Sequence, residues 1–151
     1  MKVLMVCLGN ICRSPLAHGI LQDMIEKQGL NWHIDSAGTN GFHDGELPDP
    51  RSQKVALEND IDITYQRSRQ ITKNDLQEFD HIYVIDSSNF QNVTALCSDD
   101  MEKSKVKMLM NEAYPGKNIN VPDPYYGGED GFTSVFDQIT LACEEIIRKY
   151  A

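Results

Sequence analysis

Short apolar runs and helical periodicities alternate along the chain. Runs of strand size cover residues 3–8, 32–35, 81–85 and 106–110. Apolar residues at helical spacing predict helices over residues 16–28, 51–59 and 132–147, and the cap-forming residues Thr72 and Asp86 predict the starts of two shorter ones. The pair Ser14-Pro15 predicts the start of the first helix, with the serine as N-cap, and Gly29 predicts its end.

This alternation is typical of βαβ units, which form a parallel sheet with helices on both faces. We therefore expect one doubly wound α/β domain over residues 1–151, with four central strands. In such sheets, ligands bind outside the carboxyl ends of the strands. The connections at those ends are residues 7–14, 36–50, 86–89 and 111–128, and the candidate chemistry should lie there.

Composition and charge narrow the class of protein. The chain has 151 residues, of which 40% are hydrophobic and 25% charged, as in a compact soluble domain. Its net charge of −9 and pI of about 4.8 argue against nucleic acids and anionic membranes as partners. Every apolar run is shorter than a membrane span, and we interpret the first one as a strand, not a signal peptide. We therefore expect a cytoplasmic protein whose four cysteines are free thiols.

The connection after the first strand has the residues of an anion-binding loop with a nucleophile. It reads Cys7-Leu8-Gly9-Asn10-Ile11-Cys12-Arg13-Ser14. Backbone N–H groups at a helix N-terminus bind oxyanions and favour the thiolate form of a cysteine placed among them. Arg13 offers a planar fork for two phosphate oxygens, and Ser14 can donate its hydroxyl to the thiolate. Gly9 and Asn10 allow a tight turn. We therefore expect residues 8–14 to bind phosphate and Cys7 to attack it.

Two segments resemble the motifs of one enzyme family. Residues 6–15 resemble the signature of the low molecular weight protein tyrosine phosphatases, and Asp123-Pro124-Tyr125-Tyr126-Gly127 resembles the second motif of that family. Segments 35–39, 69–72 and 86–89 are similar to family segments as well, so the resemblance covers essentially the whole chain. It implies a flavodoxin-like strand order. It also implies that Asp123 is the general acid that protonates the leaving phenolate and later activates water.

The resemblance implies supporting roles for residues outside the loop. Ser36 is expected to hydrogen-bond Asn10, and Asp86 is expected to support the site or to cap a helix. Under oxidation, Cys12 is expected to form a disulfide with Cys7 that protects the nucleophile. The spacing of these two cysteines is not that of a zinc site, so we expect neither a metal nor a cofactor.

Four apolar or aromatic side chains are candidates for the walls of a substrate cleft. Tyr125 and Tyr126 could stack on an aromatic substrate, with Leu8 and Phe42 on the opposite wall. Ordinary loop packing is the alternative for the tyrosines and for Phe42.

One position departs from the family. Many members have a histidine that supports Asn10, and it lies just before the segment that corresponds to Arg69-Gln70. This chain has Gln66 at that position. Either the amide of Gln66 replaces that donor or the network is rebuilt. The histidines of this chain are expected to be structural or solvent-exposed, with no catalytic role; they are His18, His33, His43 and His81.

The expected function is hydrolysis of phosphotyrosine in proteins, and of small aryl phosphates, through a cysteinyl-phosphate. Ile11 favours this function over a protein arginine phosphatase of the same fold, because those enzymes usually have threonine there. A thiol-dependent arsenate reductase needs further cysteines close together, whereas Cys97 and Cys143 are far apart in sequence. A phosphate-binding carrier that does not hydrolyse is the third alternative. The expected partner is a phosphotyrosine-containing protein; a cognate tyrosine kinase and weak self-association of the monomer stay open.

Overall fold

A four-stranded parallel sheet forms the centre of the molecule. The computed structural model describes residues 1–124 and 128–151, with only the backbone for residues 128 and 129. The strands are β1 (Lys2–Cys7), β2 (His33–Gly38), β3 (His81–Val84) and β4 (Val106–Met108), and their order in the sheet is β2-β1-β3-β4. The parallel sheet and the flavodoxin-like order are both as expected. The order reverses between β1 and β3, where α/β sheets of this kind bind ligands.

Helices cover both faces of the sheet, as predicted. They are α1 (Arg13–Gln28), α2 (Pro50–Glu58), α3 (Lys73–Glu78), α4 (Ser87–Leu96), α5 (Asp100–Ser104) and α6 (Gly128–Tyr150), with a 3-10 turn at Leu109–Asn111. No helix among the described residues is both long and apolar enough to cross a membrane.

Alternation along β1 divides the core into two layers. Val3 and Met5 pack with the apolar faces of α1, α2 and α6, whereas Leu4 and Val6 pack with α3 and α4. All four of these β1 side chains are fully buried. Burial of such a side chain stabilises the fold by roughly 1.5–3 kcal/mol, so the strand that leads to Cys7 is firmly held from both sides.

Two local expectations were wrong. Helix α1 begins at Arg13, with Cys12 and not Ser14 as its N-cap residue, because the Ser14 hydroxyl bonds to Cys7 and Asn10 instead. Strand β2 continues through Gly38, although residue 36 was expected to begin a loop. The carboxylate of Asp99 accepts the backbone N–H of Glu102 and starts α5, a short helix that the sequence pattern did not predict.

Candidate active site

The loop between β1 and α1 has a backbone suited to an anion. Asn10 has a positive φ of 56°, which only a few residue types adopt readily. The first turn of α1 contains no acidic residue, so no side-chain charge there neutralises the positive end of the helix. The first N–H groups of any α-helix have no partner within the helix and are available to an anion.

A chain of hydrogen bonds fixes the polar atoms around the Cys7 sulfur. Arg69 donates its backbone N–H to Asn10 Oδ1 at 3.1 Å, which orients the amide. Asn10 Nδ2 then donates to Ser14 Oγ at 2.7 Å and to Ser36 Oγ at 3.0 Å. Because Ser14 Oγ accepts from Asn10, its own proton is free to point at Cys7 Sγ, 3.0 Å away. The expected contact between Ser36 and Asn10 is therefore present, and Ser14 faces the sulfur as a donor.

Arg13 is buried, and two hydrogen bonds fix its guanidinium. Its Nη1 donates to Asp86 Oδ2 at 2.9 Å and to the backbone oxygen of Val121 at 2.8 Å. Asp86 Oδ1 meanwhile accepts the backbone N–H of Asn89 and caps α4. Asp86 thus does both things that the sequence left as alternatives, and it joins the connections that follow β1 and β3.

The loop that leads to Asp123 is hydrogen-bonded to Arg13 and to the end of the segment that contains β3. Val121 donates its backbone N–H to the oxygen of Ile85 at 3.0 Å and accepts Arg13 with its own oxygen. Asp123, two residues further on, is exposed and lines the cleft together with Cys7 and Arg13. The structure therefore brings the three expected catalytic residues to one cleft.

Two adjoining cavities of about 370 Å³ each form this cleft. They share Leu8, Arg13 and Asp123; the cavity above the loop is also lined by Phe42 and His43. Leu8 is 49% exposed and Phe42 is 88% exposed, so both apolar side chains stand in water at its mouth. Tyr125 and Tyr126, the other expected walls, lie outside the described residues. Sequence reasoning missed His43, which gave no signal beyond its place beside Phe42.

Cys12 lines the same cavity as Cys7 and is a protonated thiol at neutral pH. Burial, the carboxylate of Asp49 and the neighbouring Cys7 raise the pKa of Cys12 to about 12. Asp49 caps α2 and donates its backbone N–H to Ile11, while Ser52 Oγ donates to the Cys12 oxygen at 3.3 Å. The start of α2 therefore supports the loop, and Cys12 adds no negative charge to it.

Residues 66–69 support the loop from the opposite side. Ser68 Oγ donates to the Gly9 oxygen at 2.9 Å, and Gln66 Nε2 donates to the Pro15 oxygen at 3.0 Å. The guanidinium of Arg69 bridges the carboxylates of Asp35 and Asp75. Ser68 was not identified from the sequence, because a lone serine in a polar segment gives no pattern.

No group of three or more metal-ligating side chains occurs in the part of the chain that the structure describes. Cys143 is fully buried in the core on α6, where burial raises its pKa, and Cys97 ends α4. The reactive side chains that line the cleft are the thiol of Cys7, the guanidinium of Arg13 and the carboxylate of Asp123.

Known proteins resemble this chain in sequence and in fold. The family described as low molecular weight phosphotyrosine protein phosphatase matches residues 2–150. The chain is 39% identical to a protein of that name from Schizosaccharomyces pombe, over 99% of this chain and 97% of the relative. It is 38% identical to the solved structure of a protein tyrosine phosphatase from Entamoeba histolytica, with a TM-score of 0.92 over 99% of this chain and 96% of that one. The structure of a drosophila arginine phosphatase is also similar, with 31% identity and a TM-score of 0.92 over 99% and 98% of the two chains.

Proposed function

The chain belongs to the low molecular weight phosphotyrosine protein phosphatase family, and from this premise we propose that it hydrolyses phosphotyrosine in proteins and small aryl phosphates through a cysteinyl-phosphate. The observation that carries the proposal is the contact of 3.0 Å between Cys7 Sγ and Ser14 Oγ in a cleft shared with Arg13 and Asp123. A sulfur that faces a hydroxyl donor at the start of a helix is suited to react as a thiolate.

In the first step, the Cys7 thiolate attacks phosphorus in line with the leaving oxygen. The S–P bond forms as the P–O bond to the phenol breaks. Backbone N–H groups of the loop and the guanidinium of Arg13 donate hydrogen bonds to the three equatorial oxygens and stabilise their charge. Asp123 gives its proton to the departing phenolate, which would otherwise be a poor leaving group because phenols ionise near pH 10.

In the second step, Asp123 takes a proton from water, and the water oxygen attacks phosphorus. The S–P bond breaks, and its electron pair returns to Cys7. The Ser14 hydroxyl, oriented by Asn10, donates to the departing sulfur. Inorganic phosphate is then released and the enzyme is regenerated. No step requires a metal ion.

The mouth of the cleft suits an aromatic ring. Leu8 and Phe42 border the cavity above the loop, where they can sandwich a phenyl group that extends from the bound phosphate. Tyr125 and Tyr126 are proposed to complete this wall, and Cys12 is proposed to protect Cys7 as its disulfide partner. We further propose one phosphatase domain over residues 1–151 and a cytoplasmic location, because a nucleophilic thiol needs a reducing compartment.

The decisive experiment measures release of inorganic phosphate from matched phosphotyrosine and phosphoarginine peptides, with EDTA present. The unmodified enzyme should prefer phosphotyrosine. Cys7→Ser should abolish turnover while retaining binding of inorganic phosphate by calorimetry, because the loop and Arg13 remain. Release from neither peptide would refute the proposal and favour a carrier or an arsenate reductase.

A second variant isolates the general acid. Asp123→Ala should slow hydrolysis of phenyl phosphate by about 10²–10⁴-fold, and should slow hydrolysis of an ester of a much more acidic phenol far less. Equal losses with both esters would contradict the role of Asp123.

The arginine phosphatase is the second candidate, and the similarity to the drosophila enzyme favours it. It would keep the thiolate chemistry but change the leaving group from a phenol to a guanidine. A preference for phosphoarginine in the same assay would establish it and overturn the interpretation of Ile11.

A further inference from the structure

We propose that His18 is a positioning residue of the active site, which acts on the Cys7 thiolate through Ser36, Asn10 and Ser14. The inference rests on the proposed function, because it assigns a new residue to the same chemistry. His18 is not among the described residues that line the cleft, and its influence passes through the hydrogen bonds that connect it to the sulfur.

Helix α1 places His18 on the same side as Ser14. The two residues are four apart, so they lie one above the other on one helix face. That face packs against β2, and His18 Nδ1 lies 3.3 Å from Ser36 Oγ. The side chain is buried, and the ring of Tyr65 meets it edge-on with 5.6 Å between centroids. His18 is thus held beside one hydroxyl.

The direction of each hydrogen bond along the network can be worked out from Asn10. Its Nδ2 is a donor only, so both Ser14 Oγ and Ser36 Oγ accept from it. Each hydroxyl then has a single proton to direct away from Asn10. Ser14 directs its proton to Cys7 Sγ, and Ser36 directs its proton to His18 Nδ1 at 3.3 Å or to Gln66 Oε1 at 3.5 Å.

A neutral imidazole is the form that completes this arrangement. With its proton on Nε2, His18 accepts from Ser36 and leaves the lone pairs of that hydroxyl to Asn10. With a proton on Nδ1, the ring becomes a donor to Ser36 Oγ. The hydroxyl oxygen of Ser36 then accepts from both His18 and Asn10, and its proton points to Gln66 Oε1. The hydrogen bond from Asn10 to Ser36 is then weakened, and with it the hold of Asn10 on the Ser14 hydroxyl.

The groups around the ring favour the neutral form. Burial is the largest effect, and it lowers the pKa of His18 to about 4. On β2, the Asp35 carboxylate opposes this decrease and His33 adds to it, while Arg69 adds to it from the segment after Tyr65. Arg69 also binds the Asp35 carboxylate at 3.1 Å, which reduces the attraction of that carboxylate for an imidazolium. At neutral pH, His18 is therefore neutral, and in the tautomer with its proton on Nε2 it accepts from Ser36.

The test measures the reactivity of Cys7 itself, apart from turnover. The rate of alkylation by iodoacetate is followed against pH, with the modified peptide identified by mass spectrometry. Burial raises the pKa of Cys12 to about 12 and raises those of Cys97 and Cys143, so these thiols react slowly. His18→Leu should move the half-maximal pH of Cys7 alkylation upward by about 0.5–1 unit, the shift expected for loss of one hydrogen bond to the charged form.

Two further variants separate positioning from general damage. His18→Asn places an amide oxygen near the position of Nδ1 and should keep the profile close to that of the unmodified enzyme. His81→Leu removes a partly buried histidine at the opposite end of the sheet and should leave the profile unchanged. The kcat of His18→Leu for an aryl phosphate should fall about three- to tenfold, with KM nearly constant.

The outcomes distinguish this proposal from the proposed function. An unshifted profile in folded His18→Leu, or an equal shift in His81→Leu, overturns the role of His18. A shifted profile without any phosphate release keeps the role of His18 and refutes the phosphatase. If His18→Leu does not fold, His18→Ala takes its place, because it also removes the acceptor for Ser36; an unshifted profile in that variant overturns the proposal.

Discussion

Replacing Asp86 should separate two contributions that its carboxylate makes at once. Oδ1 accepts the N–H of Asn89 at 2.8 Å and caps α4, whereas Oδ2 accepts Arg13 Nη1 at 2.9 Å. Asp86→Ser keeps an oxygen that can cap the helix but loses the partner of Arg13. Asp86→Ala loses both. The difference between the two variants therefore reports the cap, and the serine variant alone reports the ion pair.

The expected magnitudes follow from burial. The side chains of Arg13 and Asp86 are 8% and 19% exposed, so water screens the pair poorly. Removing one partner of a fully buried pair costs about 3–5 kcal/mol, but Arg13 keeps the Val121 oxygen and some contact with water. We expect Asp86→Ser to lower the free energy of unfolding by about 2 kcal/mol. Loss of the cap should bring Asp86→Ala to about 3 kcal/mol.

Urea denaturation at low and at high salt is the appropriate assay. Because the pair is shielded, the deficit of Asp86→Ser should persist at high salt, where exposed pairs are screened. Glu78→Ser is the matched control, since Glu78 pairs with Lys2 at the surface, and it should hardly move the midpoint. The kcat for an aryl phosphate should also fall in Asp86→Ser, because Arg13 loses its orientation. A serine variant as stable as the unmodified chain would refute the reasoning.

Two further predictions concern stability. Because the pKa of His18 is lowered to about 4 in the folded chain, the unfolded chain binds more protons between about pH 6.5 and 4, so stability falls as the pH is lowered through that window. The loss should approach about 3 kcal/mol in urea titrations at successive pH values, and His18→Asn should lack this part of the slope. A Cβ on Gly38 would lie 2.8 Å from the Leu8 oxygen, so Gly38→Ala should lower the free energy of unfolding by about 2 kcal/mol. A Cβ on Gly131 in α6 meets nothing closer than 3.5 Å, so Gly131→Ala should gain up to about 1 kcal/mol in the same denaturation assay; similar effects at both glycines would contradict the packing argument.

The strands and the longer helices are predictable because one physical signal dominates each of them. The run that forms β1 is buried on both faces and therefore reads as continuously apolar. The apolar residues of α6 repeat at helical spacing along its buried face, from Phe132 to Ile147. The loop at residues 7–14 is also predictable from the sequence, because its proposed chemistry depends on adjacent residues at a strand-to-helix junction.

Features that depend on tertiary contact are not predictable in this way. Helix α5 has five residues, too few to show a periodicity, and only the cap at Asp99 starts it. The end of β2 is made of small residues because Gly38 lies against the loop, and this composition resembles a turn. His18 sits within an ordinary amphipathic helix, and its contact with Ser36 exists only once α1 packs on β2.

The exposure of Leu8 and Phe42 has a consequence for the divergence of such enzymes. Neither side chain belongs to the buried core, so replacing either one costs the fold little. Cys7 and Arg13, in contrast, are buried and hydrogen-bonded to neighbouring parts of the fold. Mutations can therefore accumulate at the mouth of the cleft and change the specificity for the phosphorylated substrate, while the catalysed reaction stays the same. One scaffold can in this way give rise to phosphatases with different targets.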